Sequence, residues 1–178
     1  METDEVDKAL ELLKANPNAA DLIPEVGMNI GYAKEDGTDA AAFPGRIRRA
    51  FGKPSVAFPA AYGVDSHMAK LALQARKHDA SKRCAMNIKY SEANVKALEG
   101  AGVKVVFVDR AEEAADSKAL EGKSVGFVLD EAVKKASEVP GAIYDKGDVG
   151  KEPMIRIIAG SPAEAVRMAL VCVGPARL

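Results

Sequence analysis

The segment Cys84-Ala-Met-Asn-Ile-Lys-Tyr90 gives the clearest indication of the fold, because its larger apolar residues alternate with small or polar ones. Alternation with a period of two is the pattern of a strand with one buried face. The next residue, Ser91, can cap a helix that stops at Gly100-Ala-Gly102, and residues 103–109 then form a valine-rich run. The sequence therefore predicts a strand, a helix and a second strand that is central in a sheet and covered on both faces.

Strands and helices continue to alternate downstream of this unit. Apolar residues at helical spacing occupy residues 125–136, and Ser161-Pro-Ala-Glu164 has the serine, early proline and glutamate typical of a helix start. Short apolar runs between them predict strands at residues 142–144 and 154–159, joined by the glycine-rich loop of residues 145–153.

Upstream, strands follow one another with fewer helices between them. The strand nearest the N-terminus has small residues along one face, which lets another part of the chain or a ligand approach its backbone. The predicted elements are an amphipathic helix at residues 4–15, strands at 26–33, 46–49 and 55–58, a polar loop at 34–42 and a helix at 66–78.

This order of elements predicts an α/β protein. Strands in succession, followed by strands alternating with helices, favour a three-layer α/β/α arrangement with a mixed sheet. Because no linker is long enough to divide the chain, we expect one main domain at residues 20–178, preceded by a lead-in helix within residues 1–19.

The composition of the chain disfavours several classes of protein function. The 178 residues are 48% hydrophobic and carry a formal net charge of −1. These values are ordinary for a globular protein, and the balanced charge disfavours general nucleic-acid binding, although a local basic cluster could still bind one. The acidic N-terminus does not suit a signal peptide, and no apolar run is long enough for a membrane span. We expect a cytoplasmic protein.

Arg46 is the first candidate for binding an anion. It follows Pro44-Gly45, where glycine lets a ligand approach the backbone, and a guanidinium can hold a phosphate through two parallel hydrogen bonds. Arg48 and Arg49 complete a cationic group, although charge that protects a strand edge explains these two equally well.

The segment Gly63-Val-Asp-Ser-His67 supplies the second half of a candidate anion site. A helix that begins here leaves backbone N–H groups unpaired, its dipole favours negative charge, and the Ser66 hydroxyl adds a donor. His67 would then lie in the first turn and could protonate a phosphate oxygen or hydrogen-bond to it. The alternative is that Ser66 only caps the helix and His67 is an ordinary surface residue.

The loop of residues 145–153 could add phosphate or metal contacts. Lys151 is a candidate phosphate ligand, and Asp148 and Glu152 are candidate ligands for Mg²⁺ through water, although an ordinary charged turn fits the same residues. The loop lacks the spacing of a Walker motif. With only two histidines and two cysteines, a zinc site built from several such ligands is not expected.

Five separated motifs together resemble one family. They cover the chain from about residue 20 to 173 in the right order, which is more specific than any one of them. The chain resembles the ThiN-type thiamine-phosphate synthases, an archaeal family often fused behind a hydroxymethylpyrimidine phosphate kinase. The motifs are Asp21-Leu-Ile-Pro-Glu-Val-Gly-Met-Asn29, Phe43-Pro-Gly-Arg46, Tyr62-Gly-Val-Asp-Ser-His67, Ala85-Met-Asn-Ile-Lys-Tyr-Ser91 and Gly147-Asp-Val-Gly-Lys-Glu-Pro-Met-Ile155.

The resemblance implies a fold like that of class II aldolases and the kinase's C-terminal domain. It also implies a transferase that joins hydroxymethylpyrimidine diphosphate to hydroxyethylthiazole phosphate, forming thiamine phosphate and pyrophosphate, with Mg²⁺ carried by the diphosphate. Its essential arginine and histidine correspond to Arg46 and His67. Asp65 departs from the family's usual Gly-Ala-Ser turn. Five residues are predicted to bind substrate: Gly63, Ser66, Asn29, Asn87 and Lys151.

The same resemblance also allows a second function, that of a ligand sensor. Similar domains follow helix-turn-helix regions in regulators, where they look like non-catalytic sensors of thiamine phosphate. Fewer than 25 residues precede the first motif here, and the balanced charge gives no substitute for a DNA-reading domain. The resemblance further implies a homodimer and, in a longer natural fusion, a kinase domain.

Overall fold

The computed structural model describes residues 1–112 and 123–174 of the chain. Eight strands, five α-helices and two short 3-10 helices, Ala19–Leu22 and Arg110–Glu112, are defined in this part. The strands are β1 Ile30–Ala33, β2 Ala40–Ala41, β3 Arg48–Ala50, β4 Lys53–Ser55, β5 Cys84–Lys89, β6 Val105–Phe107, β7 Ala142–Asp145 and β8 Met154–Ala159. The helices are α1 Glu2–Lys14, α2 His67–His78, α3 Glu92–Gly100, α4 Lys123–Ala136 and α5 Pro162–Leu170.

Six of these strands form one mixed sheet in the order β2-β1-β5-β8-β7-β6. Neighbouring strands are antiparallel except β6 and β7, which are parallel, as expected when a helix, here α4, connects them. Strands β3 and β4 form a separate hairpin. The sheet therefore carries β5 and β8, the strands with the longest pairing, at its centre.

Helices cover both faces of the sheet. One apolar cluster joins α1, α3 and α5 to residues such as Met86 and Ile157, and a second joins α2 and α4 to residues such as Ala85 and Ile158. Successive residues of a strand point to opposite faces, so β5 and β8 contribute to both clusters. The predicted three-layer α/β/α fold with a mixed sheet is confirmed.

Helix α2 lies directly against strand β1 at Gly31. A Cβ atom on residue 31 would be 2.3 Å from backbone atoms of Met68, so only glycine permits this approach. The small residues predicted along one face of this strand thus have a structural use: they seat the N-terminal turn of α2 on the sheet.

Helices α2 and α4 lie side by side and run in the same direction. Gln74 of α2 faces Gly126 of α4, and one turn later His78 hydrogen-bonds to Asp130 at 3.2 Å. Both helices therefore begin near the edge of the sheet where β5 and β7 end. The positive ends of two helix dipoles are directed to the same edge.

Several predicted elements need correction. The prediction of a central strand at residues 103–109 is wrong. Only Val105–Phe107 of this segment forms a strand, and this strand lies at the edge of the sheet, where Phe107 is 38% exposed. Residues 34–42 are not all loop, since Ala40–Ala41 pairs with β1. The strands expected at 46–49 and 55–58 are displaced to β3 and β4. The cause is a tight turn at Phe51-Gly52, where both residues have positive φ, of 49° and 73°.

The predicted N-terminal helix contributes to the main core. Val6, Leu10 and Leu13 are buried in the same apolar cluster as Met28 and Ile30. The division of the chain at residue 20 stays a prediction.

Within the described residues, no helix has the length and hydrophobicity needed to cross a bilayer.

Candidate functional site

A cavity of about 480 Å³ opens where β1 begins and α2 starts. It combines residues from three separate parts of the sequence, which the fold brings to one edge of the sheet. Its lining consists of Val26, Asn29, Phe43, Gly45, Arg46, Arg48, Val64, Asp65 and Ser66.

Arg46 reaches this cavity from an unusual backbone conformation. Its φ is 70°, in the left-handed region that a non-glycine residue adopts only at a cost of order 1 kcal/mol, and it follows Gly45 with a φ of 76°. Its Nη1 donates a hydrogen bond of 2.6 Å to the carbonyl oxygen of Val26. Arg46 therefore belongs to a turn and not to the strand predicted for it, and the turn directs its guanidinium to the cavity wall.

Arg48 adds a second cation to the same wall, whereas Arg49 does not. Arg48 donates a hydrogen bond of 3.3 Å to the carbonyl oxygen of Glu25 and also lines the cavity. Arg49 forms an ion pair of 3.0 Å with Asp21 on the surface. The three arginines predicted as a cationic group are thus divided between the cavity and the surface.

Ser66 also lines the cavity and caps α2. Its Oγ accepts hydrogen bonds from the amides of Met68 and Ala69, at 3.2 and 3.4 Å, and the residue is buried. His67 is the first residue of the helix and is exposed, one position beyond the cavity lining. The structure therefore brings Arg46 and Ser66 together around one cavity and places His67 beside it.

Among the described residues of the lining, Asp65 is the one acid, and a lysine compensates its charge. Lys70 pairs with its carboxylate at 2.6 Å, and this hydrogen bond lowers the pKa of Asp65 below its usual 3.8. The charge of Lys70 therefore offsets the repulsion that this carboxylate would exert on an anion in the cavity. Gly63, with a φ of 69°, makes the turn that leads into this segment and is not part of the lining.

Asn29 and Asn87 hold the cavity wall through backbone hydrogen bonds. Oδ1 of Asn29 accepts from the amide of Phe43 at 3.0 Å, and its Nδ2 donates to the carbonyl oxygen of Phe43 at 3.0 Å. Oδ1 of Asn87 accepts from the amide of Asn29 at 2.7 Å, and its Nδ2 donates to the carbonyl oxygen of Gly27 at 3.0 Å. Both side chains thus fix the segments that carry Val26 and Arg46.

The glycine-rich loop contacts the wall of the cavity through Glu152. Its two carboxylate oxygens accept hydrogen bonds from the amides of Glu25 and Val26, at 3.0 and 3.1 Å. Asp148 and Lys151 pair through their backbones, and neither lines the cavity. Within residues 1–112 and 123–174, no three His, Cys, Asp or Glu side chains are close enough together to hold a metal ion.

A buried charged group at the same edge of the sheet was missed by the sequence analysis. Asp145, at the end of β7, is fully buried and pairs with Arg156 of β8 at 2.5 Å; Arg110 lies 3.9 Å from the same carboxylate oxygen. The signal that could have revealed it is the presence of charged residues within two otherwise apolar strands.

Comparison with known proteins identifies relatives over nearly the whole chain. The sequence model of the family described as Thiamine-phosphate synthase ThiN matches residues 5–170. Thiamine-phosphate synthase ThiN of Methanothermobacter thermautotrophicus is 33% identical over 173 residues, which cover 96% of this chain and 91% of that protein. The bifunctional thiamine biosynthesis protein ThiDN of Methanocaldococcus jannaschii is 36% identical over 151 residues, covering 82% of this chain and 34% of that protein.

Solved structures agree with these matches. The C-terminal domain of a phosphomethylpyrimidine kinase superposes with a TM-score of 0.86 at 31% identity, covering 96% of this chain and 97% of that one. L-fuculose-1-phosphate aldolase of Thermus thermophilus has a TM-score of 0.56 at 12% identity over 95% of this chain and 89% of that one, which shows a shared fold alone. On the strength of the sequence matches, this chain belongs to the ThiN family of thiamine-phosphate synthases.

Proposed function

We propose that the protein is a thiamine-phosphate synthase that joins hydroxymethylpyrimidine diphosphate to hydroxyethylthiazole phosphate. The observation that carries this proposal is the cavity in which Arg46, Arg48 and the Ser66-capped start of α2 line the same space. Two guanidinium groups and the positive end of a helix form a site suited to a diphosphate. The name of the archaeal relative at 33% identity supports the same reaction.

The proposed reaction is a displacement at the methylene carbon of the pyrimidine. The carbon–oxygen bond to the diphosphate breaks, the bonding electrons leave with the diphosphate, and the ring nitrogen of the thiazole forms the new carbon–nitrogen bond. That nitrogen carries no proton and becomes the positive thiazolium nitrogen, so the step requires no general base. The main task of the protein is to stabilise charge on the leaving group.

The residues around the cavity can divide that task. Arg46 and Arg48 neutralise the departing diphosphate, and the first turn of α2 directs its dipole to the same region. His67, beside the cavity, donates a proton or a hydrogen bond to a leaving oxygen.

Magnesium is proposed as part of the substrate. Mg²⁺ prefers a few carboxylates together with phosphate oxygens and water. Since both oxygens of Glu152 accept backbone hydrogen bonds, the candidate metal ligands of the loop do not form a ready cage, and the ion would enter on the diphosphate. When bound, it supplies further neutralisation of the diphosphate charge.

The test measures pyrophosphate and thiamine phosphate formed by the purified protein with Mg²⁺ and both precursors. Arg46→Ala and His67→Ala should each lower turnover by about 100-fold or more while the melting temperature stays unchanged. Arg49→Ala is the matched control, because Arg49 pairs with Asp21 outside the cavity, and it should retain full activity.

The results separate this proposal from the sensor alternative. A wild-type protein that binds thiamine phosphate tightly but releases no pyrophosphate would refute the enzyme and support a ligand-sensing domain. Full activity in Arg46→Ala would refute the assignment of the cavity. The homodimer and the fusion to a kinase domain stay predictions.

A further inference from the structure

The Asp145–Arg156 pair lies on the same face of the sheet as the cavity. Arg156 is opposite Asn87 in the register of β5 and β8, and Oδ1 of Asn87 accepts the amide of Asn29, which lines the cavity. These three residues form a polar row across three neighbouring strands. Because neighbouring strands are spaced about 4.8 Å apart, the backbone positions of Arg156 and Asn29 are separated by roughly 10 Å.

Arg156 has donors to offer a ligand at this position. Its side chain is only 10% exposed, and among the described residues its hydrogen-bond partner is Asp145, which it contacts through Nη1. A guanidinium has five N–H donors in a fixed planar arrangement. Nε and Nη2 of Arg156 therefore remain to bind an oxyanion.

Stability alone is a weak explanation for this pair. Removing two charges from water carries a large desolvation penalty for each ion, and replacement of a buried pair by apolar residues is often neutral or stabilising. Helices α2 and α4 both begin near this edge of the sheet, so their dipoles also favour an anion here.

The proposed reaction requires a second anion site at a definite separation. Both substrates carry phosphate, and the phosphate of the thiazole substrate is on a two-carbon arm across the ring from the reacting nitrogen. From bond lengths of about 1.5 Å, this phosphate and the departing diphosphate are separated by on the order of 10 Å when the new bond forms. This separation is comparable to the roughly 10 Å between the strand positions of Asn29, which lines the cavity, and Arg156.

We propose that Arg156 binds the phosphate of the thiazole substrate, as a second anion site distinct from the diphosphate cavity. The identity of this ligand rests on the proposed function. Asp145 acts as a positioning residue: its Oδ2 holds Nη1 of Arg156 at 2.5 Å, while its Oδ1 accepts the amide of Gly147 at 2.8 Å. The guanidinium is thereby fixed with its other edge available to phosphate.

The test compares binding of hydroxyethylthiazole phosphate with binding of unphosphorylated hydroxyethylthiazole by calorimetry. The wild type should prefer the phosphorylated compound by about 10- to 100-fold, the contribution expected of hydrogen bonds to a charged group. Arg156→Met should reduce this preference to near unity and leave the affinity for hydroxymethylpyrimidine diphosphate within about threefold. A purely structural role would weaken both ligands together.

Two further variants keep the test valid if Arg156→Met unfolds because Asp145 is left buried without its partner. The double variant Arg156→Met/Asp145→Asn removes both charges of the pair, and the substituted side chain keeps an amide oxygen near Arg110, the second cation beside this carboxylate. It should therefore fold, yet should still lose the preference for the phosphate. Arg167→Met changes an exposed arginine of α5, on the opposite face of the sheet, and should bind like the wild type.

The outcomes test the phosphate site at Arg156 independently of the proposed synthase reaction. A wild type that shows no preference for the phosphorylated thiazole, or a folded double variant that retains it, overturns the proposal. Loss of the preference in both Arg156 variants sustains it, even if the wild type forms no thiamine phosphate. The absence of product would refute only the enzyme reaction.

Discussion

Replacing Gly31 by alanine should displace helix α2 and the cavity wall that it carries. The new Cβ would lie 2.3 Å from the carbonyl carbon and oxygen of Met68 and 2.4 Å from the amide nitrogen of Ala69. Ordinary contacts begin at 3.4 Å, so the strand and the helix must separate by about 1 Å. These are backbone atoms, and no change of side-chain rotamer can relieve the contact.

Both stability and binding should respond to this displacement. Overpacking of a core costs about 1–3 kcal/mol, and we expect about 3 kcal/mol here because the backbone itself must move. Ser66 and His67 are fixed to the start of α2 and move with it. A misplacement of about 1 Å near reacting groups can reduce turnover by about 100-fold.

Urea unfolding followed by circular dichroism measures the first effect, and pyrophosphate release measures the second. Gly100→Ala is the matched control, because a Cβ at this last residue of α3 would meet no atom within 4 Å. It should change the unfolding free energy by less than about 1 kcal/mol. If Gly31→Ala unfolds at the same urea concentration as the wild type, the close approach of helix and strand is refuted.

Three further substitutions test individual contacts by urea unfolding. Ser66→Ala should lower the unfolding free energy by about 1 kcal/mol because α2 loses its cap, whereas Ser66→Thr should lose less. Asn29→Ala should cost about 3 kcal/mol, since buried backbone groups of Phe43 lose their partners, and an unchanged unfolding midpoint would contradict this role. Tyr62→Phe should cost about 1 kcal/mol at neutral pH by removing the hydrogen bond of 2.7 Å that Tyr62 donates to Glu2. This hydrogen bond lowers the pKa of Glu2 below 4.5 and raises that of Tyr62 to about 12, so the difference between wild type and Tyr62→Phe should persist at neutral pH and shrink as the pH falls through the lowered pKa of Glu2. An equal difference at acid pH would show that the carboxylate is not the acceptor.

Much of the fold could be predicted because local patterns and tertiary packing agree. The alternation in β5 and the capping residues Ser66, Ser91 and Ser161 each correspond to an element with nearly the predicted bounds. In these segments the side chains that point inward are those that the period selects. The local sequence is therefore sufficient to define them.

The failures occur where position in the sheet decides the outcome. The valine-rich run at residues 103–109 has the composition of a central strand, yet among the strands of residues 1–112 and 123–174 its β6 pairs with β7 alone. Which strand becomes an edge depends on the order of the sheet, and composition does not encode that order. The short strand Ala40–Ala41 likewise exists because β1 offers it an edge.

The candidate site was predicted in its residue types and not in its geometry. Arg46, Ser66 and Asn29 line the cavity, and the turn before Arg46 is closed by a local hydrogen bond from its amide to the carbonyl oxygen of Phe43, whereas the direction of its side chain depends on the tertiary contact with Val26. Pro44-Gly45 is a local turn signal, but it does not predict that Arg46 itself adopts a left-handed φ and leaves the strand that we predicted. Glu152 was predicted as a metal ligand because its type is suitable, whereas the fold uses both of its oxygens to bind backbone amides.

Asp145 and Arg156 show how an energetic argument can recover what a pattern misses. Each interrupts a strand whose other core-facing residues are apolar, and each faces the layer of α2 and α4, where an aliphatic side chain would pack without loss of hydration. A buried ion pair in which guanidinium nitrogens lack a hydrogen-bond partner among the described residues joins the two strands at a high desolvation cost. The cost becomes understandable if those nitrogens bind an anion, because the ligand then supplies stabilisation that the folded chain alone does not provide.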